Sequence, residues 1–354
     1  MKKELLIATA LVSTLGATSV AQAVTATYSG SMKIGAEFDS PDGTGVDTQN
    51  VVDLTNFSVG LTETTDGGTT ISTSFNIIDE GTSDIGDDDN ALKLTFTDGS
   101  ALEVLNAGNA LGTHDVAVPG AAGEMGVAGT SANAAPTGLD FAAPATALGV
   151  EWHSAADFLI DGLKMSASYS TDNGLAKAVT SRVESSWGVG ATYVTELGAG
   201  DTALTIGGGI SGSEVAVLDT QSAADDGGFT IGVSAVTGDL TVAVGYADGD
   251  TTTGVASNTN KQVDGDVLKA GISYKASDDL TLALGVTSGT GTDNIFGGTD
   301  TLTDSHDEMN ASVTYAVATG VSAVIGYTNV DQNDEGVSDD TGGSSWYVGA
   351  TMSF

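Results

Sequence analysis

Hydrophobic side chains in this chain recur at every second residue, in one segment after another. Between residues 28 and 38, Tyr28, Met32, Ile34, Ala36 and Phe38 share one parity, and Ser29, Ser31, Lys33, Gly35 and Glu37 share the other. Successive side chains of a strand point to opposite faces, so the segment is apolar on one face and polar on the other. The same alternation marks 57–61, 71–77, 92–96, 102–104, 148–152, 163–169, 187–193, 204–210, 229–235, 240–246, 268–274, 280–286, 309–317 and 321–327. It ends the chain as well, where Trp346, Val348, Ala350, Met352 and Phe354 alternate with Ser345, Gly349, Thr351 and Ser353. The pattern predicts an all-β protein of about sixteen strands.

Two properties turn these strands into a membrane barrel. The apolar parity is almost free of charge, while the opposite parity carries Lys33, Glu37, Lys93, Glu103, Glu151, His153, Lys164, Lys269 and Lys275. In a wide barrel the charged parity lines a wet lumen and the apolar parity meets lipid. The connections also alternate. Short turns such as Thr237-Gly238-Asp239, Ser277-Asp278-Asp279 and Ala318-Thr319-Gly320 trade places with acidic loops around 39–50, 79–90, 247–264, 288–306 and 329–344. No segment approaches a spanning helix, and only a closed sheet leaves no unpaired edge in lipid. The expected fold is a transmembrane antiparallel up-and-down β-barrel whose final strand closes on the first.

Composition agrees. The 49 glycines and 4 prolines suit strands and tight turns, and with no cysteine the fold gains nothing from disulfides. Lys2 and Lys3, an apolar stretch over 5–15 and the small-residue site Ala21-Gln22-Ala23 read as an export signal. Residues 1–23 are thus expected to be cleaved, leaving 24–354 as a single barrel domain. The net charge of −37 argues against nucleic acid or an anionic membrane surface as a partner.

One interruption stands out. Residues 107–146 are rich in Ala and Gly, carry Pro119, Pro136 and Pro144, and show no sustained alternation. Together with Tyr28-Ser29-Gly30, Lys33, Gly35, Thr64-Thr65-Asp66-Gly67-Gly68, Ser74-Phe75 and the terminal Phe354, this organisation resembles the general porins of alphaproteobacteria. The likeness covers 28–354, mostly at the level of pattern. It implies a homotrimer in the outer membrane of a Gram-negative cell, in contact with lipid and lipopolysaccharide. It also implies that the 107–146 loop, between the fifth and sixth strands, folds into the lumen and narrows it.

In that family acidic loop groups face a basic wall. The resemblance implies a constriction carrying Asp115, Glu124, Asp140 and His114, opposite a wall of Lys33, Glu37, Lys93, Glu103, Glu151, Lys164, Lys269 and Lys275. Lys33 falls where the family places a wall arginine, but the second strand offers Asp53, Leu54 and Asn56 where basic residues are expected. The lumen is therefore expected to be net negative and to favour cations. The resemblance also makes Trp346, Val348, Met352 and Phe354 a signal read by the barrel-assembly machinery.

Other chemistry is poorly supported. Three histidines and no cysteine make a transition-metal site an unfavoured reading. The segment 331–336 resembles the opening of a calcium loop, yet Gly342 stands where a bidentate Glu should close it. No metal site is firm; Asp87, Asp88, Asp89, Asp331 and Asp334 are only candidates for loose divalent binding, with Ca²⁺ as the ion, and no other cofactor is expected. Gly207-Gly208-Gly209 follows a strand but opens no helix, so it is not a phosphate cradle. No nucleophile is paired with a base, which argues against an enzyme. The leading reading is a passive, cation-preferring channel for ions and small hydrophilic solutes. The alternative is a secreted acidic β-rich adhesin or surface-layer component without channel activity.

Overall fold

The computed structural model describes residues 24–42, 46–79, 92–105, 110–120, 148–171, 181–198, 200–217, 224–253, 261–292, 303–334 and 341–354. Residues 1–23, Asp87, Asp88, Asp89, Glu124 and Asp140 lie outside them. The strands are β1 (Thr25–Pro41), β2 (Thr48–Thr64), β3 (Thr70–Asp79), β4 (Leu92–Thr95), β5 (Ala101–Val104), β6 (Leu148–His153), β7 (Leu163–Thr171) and β8 (Ser181–Leu197). They continue as β9 (Thr202–Val217), β10 (Ala224–Thr237), β11 (Leu240–Thr253), β12 (Lys261–Lys275), β13 (Leu280–Thr292), β14 (Thr303–Ala318), β15 (Val321–Asp334) and β16 (Thr341–Ser353). A single helical turn, α1 (Ala110–Thr113), follows β5. Each strand pairs with its sequence neighbours, and β16 pairs with β1 to close the sheet.

The closing seam fixes the parity of the wall. Ile34 stands opposite Ala350, Ala36 opposite Val348 and Phe38 opposite Trp346, while Lys33 faces Thr351 and Glu37 faces Tyr347. Directly opposed residues of an antiparallel pair project to the same side, so one seam carries both an apolar face and a polar face. The apolar parity stands on the convex outside, where Ile231, Val244, Leu284, Ile325 and Val348 remain 40–55% exposed. Aromatic rings bound this stripe at both ends. Tyr169, Trp187, Phe229, Tyr246, Tyr327 and Trp346 lie toward the long connections; Tyr28, Trp152, Tyr274, Tyr315 and Phe354 lie toward the short turns. The amphipathic rings of Tyr and Trp suit the headgroup level of a bilayer, so these are the girdles of a membrane barrel.

The ladders run further than the hydrophobic alternation. β11 continues to Thr253 and β12 begins at Lys261, so most of the expected 247–264 loop is strand; β13–β14 and β15–β16 extend similarly. Backbone pairing needs no apolar side chain, so a hairpin can rise past the lipid boundary with acids on its outer face. Asp248 stands opposite Asp266 and Asp250 opposite Asp264 on the parity of Tyr246 and Leu268. Asp307 stands opposite Asp331 in the same way. Asp53 also takes the outward parity, opposite Ile34. The outer face is therefore charge-poor between the girdles and acidic beyond the upper one, with Asp53 as an exception on β2.

Short connections, such as 238–239 between β10 and β11 and 319–320 between β14 and β15, alternate with long ones around the ring. Gly238 and Gly320 adopt φ of 54° and 73° in those turns, a conformation that costs glycine little. Among the described residues the wall is lowest at β4 and β5, with 4 residues each. A tilted strand needs roughly 9–11 residues to cross a bilayer.

Candidate functional site

The polar face concentrates its chemistry on β4–β8, where the register assembles a chain of ionisable groups. Lys93 on β4 opposes Glu103 on β5, which opposes Glu151 on β6. The Lys93 ammonium donates to Glu103 Oε1 at 2.6 Å. His153 Nε2 lies 3.4 Å from the same oxygen, and its Nδ1 lies 3.6 Å from Glu151 Oε1. His153 therefore stands between two carboxylates.

Against this wall lies the segment 110–120. Ala110 N donates to Ser168 Oγ at 3.1 Å, and Thr113 Oγ1 donates to Glu151 Oε1 at 2.7 Å. His114 is buried and held at both ring nitrogens, with Nδ1 2.7 Å from Thr192 Oγ1 and Nε2 2.9 Å from Ser166 Oγ. Ser166 Oγ also lies 2.9 Å from His153 Nδ1, so one hydroxyl links the two histidines. A serine oxygen donates once and accepts twice, which lets it satisfy both rings when at least one presents an N–H. Next along, Asp115 Oδ1 accepts from Thr230 Oγ1 of β10 at 2.6 Å.

These contacts make His114 a proton-sensitive anchor. Burial, followed by the nearby His153 and Lys164, holds its imidazolium form below the usual range. Glu103, Glu151 and Lys93 complete the charged surroundings on the wall, with Asp115 on its own segment. A lowered pKa in the folded state means that stability is present above the unfolded value of about 6.5 and is lost as pH falls through the folded value. Attachment of the segment is therefore expected to weaken on acidification. Limited proteolysis against pH should show more cleavage within 107–146 at acid pH, and His114→Asn should flatten that dependence.

The other site residues are distributed around the ring. Lys33 faces inward on β1, opposite Thr351 and Leu54. Glu37, also inward, is buried beside Tyr347 and Asn50, and its Oε1 has no hydrogen-bond partner among the described residues. Lys164 lies opposite Thr192 and Lys269 opposite Gly245, both on the polar parity. Lys275 stands at the turn end of β12, 3.6 Å from Asp278, rather than at mid-wall. Asp331 is exposed on the outward parity of β15, and Asp334 opposes Asp304 at the end of that ladder.

Tyr347 is the residue that the alternation pattern passed over. It sits on the polar parity and is almost wholly buried, lying across the Cβ positions of Gly35 and Gly349 and donating to Ile34 O at 3.0 Å. Val324 and Val52 pack with it. Two glycines flanking a tyrosine across a seam were the available signal. Without the register they could not be assigned to each other.

A closed ring of sixteen antiparallel strands, apolar outside and charged inside, defines the class of outer-membrane β-barrel channels. Residues 8–336 match the family described as Gram-negative porin, and the chain belongs to that family. Solved structures share the fold. An anion-selective porin from Comamonas acidovorans aligns with a TM-score of 0.65 at 10% identity, covering 94% of this chain and 100% of the other. The channel DcaP of Acinetobacter baumannii gives 0.62 at 12% identity, covering 94% and 97%. The in-vitro-folded trimer form of OmpT, an outer-membrane protein of Vibrio cholerae, gives 0.59 at 17% identity, covering 94% and 100%. No curated protein matches the chain. Family and fold together indicate a channel in the outer membrane, rather than an enzyme.

Proposed function

We propose that this porin is a passive diffusion channel for ions and small hydrophilic solutes, with a preference for cations. The observation that carries the reading is the closed barrel with a charged interior. In such a wet lumen solutes are sorted by size and by the local field. The acidic surface-layer alternative would not need a charge-poor outer stripe bounded by aromatic rings. Steps of conductance in planar bilayers are expected from folded protein; a silent bilayer overturns the channel reading.

The 107–146 loop is proposed to fold inward as the constriction. Thr113 touches β6 and Gly120 lies beside Asn310 of β14, two strands that stand eight positions apart in the ring. Seven residues reach at most about 25 Å. Eight strand spacings along the wall amount to about 38 Å, and a path over the convex side is longer still. A segment of that length joins β6 to β14 only by passing through the barrel, which supports the reading. Asp115, Glu124, Asp140 and His114 remain the proposed constriction groups.

Cation preference rests on the acidic connections more than on the wall. Inward Glu37, Asp39, Glu103, Glu151 and Glu308 are nearly matched by Lys33, Lys93, Lys164 and Lys269, so the overall charge of −37 tips the balance. Like charges within a Debye length of about 8–10 Å bias ion entry even when each pair is weak. Reversal potentials across a salt gradient are expected to show cation selectivity, and neutralising Asp115, Glu124 and Asp140 together to reduce it. An anion preference overturns the assignment.

The chain is further proposed to lose residues 1–23 on export and to assemble as a homotrimer through the low wall at β4–β5. Four-residue strands span too little lipid to face it alone. Lipopolysaccharide would meet the acidic outer rim, with loosely held Ca²⁺ as the counter-charge.

A further inference from the structure

Where 110–120 crosses the polar face, glycines recur in the wall beneath it. A Cβ built on Gly207 would lie 2.5 Å from His114 O, and one on Gly232 would lie 2.6 Å from Val116 Cβ. One on Gly209 would stand 3.1 Å from Leu111 Cα, and one on Gly285 would stand 3.0 Å from Gly120 Cα. Gly190 would collide with Ala110 O, and Gly271 with Pro119 O. The register sets them in two groups, one on β8–β10 and one on β12–β13, with Ala243 and Gly245 of β11 between them. Gly190 opposes Gly209, Gly207 opposes Gly232, and Gly271 opposes Gly285.

Ordinary strand side chains at these places would hold the segment away from the wall by the thickness of a side-chain layer. A glycine inside a strand costs stability and packs nothing, so a set of them facing one segment needs a reason in the close approach of another backbone. The glycine run 207–209 in β9 belongs to this surface, through Gly207 and Gly209.

We propose that Gly190, Gly207, Gly209, Gly232, Gly271 and Gly285 form a trough that seats 110–120 against the wall. The depth of the trough sets how far the segment projects into the pore, which makes these glycines positioning residues for permeation. The proposal rests on the channel reading and specifies what fixes the bore of that channel. His114 and Asp115 pin the segment to Ser166, Thr192 and Thr230 by side-chain hydrogen bonds. The glycines decide its height above the sheet.

Gly207→Ala and Gly271→Ala are compared in planar bilayers with Gly326→Ala. Gly326 lies on the same polar face of β15, where an added Cβ would meet nothing closer than 3.9 Å. The two trough variants should lower single-channel conductance and shift the cation-to-anion permeability ratio. Gly326→Ala should match the wild type. Unchanged conductance and selectivity in folded trough variants overturns the proposal. Because a trough variant can fail to assemble, a second measurement uses the intact trough. The chain has no cysteine, so Asp115→Cys with Thr230→Cys supplies an isolated pair for a short thiol-reactive crosslinker. Crosslinking in folded protein supports the seat, and its absence overturns it. A double-cysteine barrel that crosslinks at this pair but never conducts would sink the channel reading while leaving the seat in place.

Discussion

Leu284→Arg is expected to destabilise the barrel by about 2–4 kcal/mol, the cost of a cationic side chain near the bilayer midplane. Leu284 projects outward from β13, opposite Ile272 of β12 and Ala311 of β14, and is 44% exposed on the convex face. Its outward neighbours along the strand are Leu282 and Val286, so no polar group is placed to receive a guanidinium. Ser273→Arg is the matched comparison. Ser273 lies on the opposite parity of the adjacent strand, facing Thr241 and Ala283, where an added charge meets water. It should leave stability nearly unchanged and move ion selectivity toward anions. Urea unfolding in lipid vesicles measures the first effect and reversal potentials the second. Equal destabilisation by the two substitutions would mean that the parity has been assigned to the wrong faces.

Deleting Phe354 is expected to reduce the yield of assembled barrel sharply while leaving the conductance of surviving channels near wild type. Phe354 N donates to Gly30 O at 3.1 Å, and Gly30 N donates to Phe354 O at 3.2 Å, so the last residue makes the final rung between β16 and β1. Its ring lies over Gly30, where a built Cβ would come within 2.5 Å, and 6.2 Å from the ring of Phe57. Phe57 stacks in turn on Tyr28 at 6.3 Å. Loss of the residue removes two backbone hydrogen bonds and one member of an aromatic row at the lower girdle. The ring points away from the lumen, which is why permeation should not change. Phe354→Ala separates the contributions, since it keeps the backbone rung and loses the ring. Gel migration of unheated samples reports assembly, and bilayer recording reports the channel.

Much of this protein could be read from residue order. The parity of Tyr28 to Phe38 and of Trp346 to Phe354 appears unchanged at the closing seam, with the apolar residues of both strands on one side. The even count of strands and the interruption after the fifth follow from the same period of two. Strand ends were less legible. In 247–264 the acids suggested a loop, but the ladder holds Asp248 opposite Asp266 and Asp250 opposite Asp264. Hydrophobic alternation reports where lipid begins, whereas hydrogen bonding reports where strands end, and the two boundaries differ by several residues here.

The segment 110–120 shows the division most clearly. His114 and Asp115 were visible as polar residues in an irregular segment, and His153 as a charge on the lumenal parity. That Ser166 joins His114 to His153, or that Thr230 holds Asp115, depends on contacts between residues 13 to 115 positions apart. The sequence by itself determined the fold class and the two faces of the wall, because a period of two is a local property of neighbouring residues. Only the tertiary structure decided which glycines lie beneath 110–120 and which rings meet at the seam. Those partners are set by the register of sixteen ladders and by closure of the ring, and neither leaves a local mark in the chain.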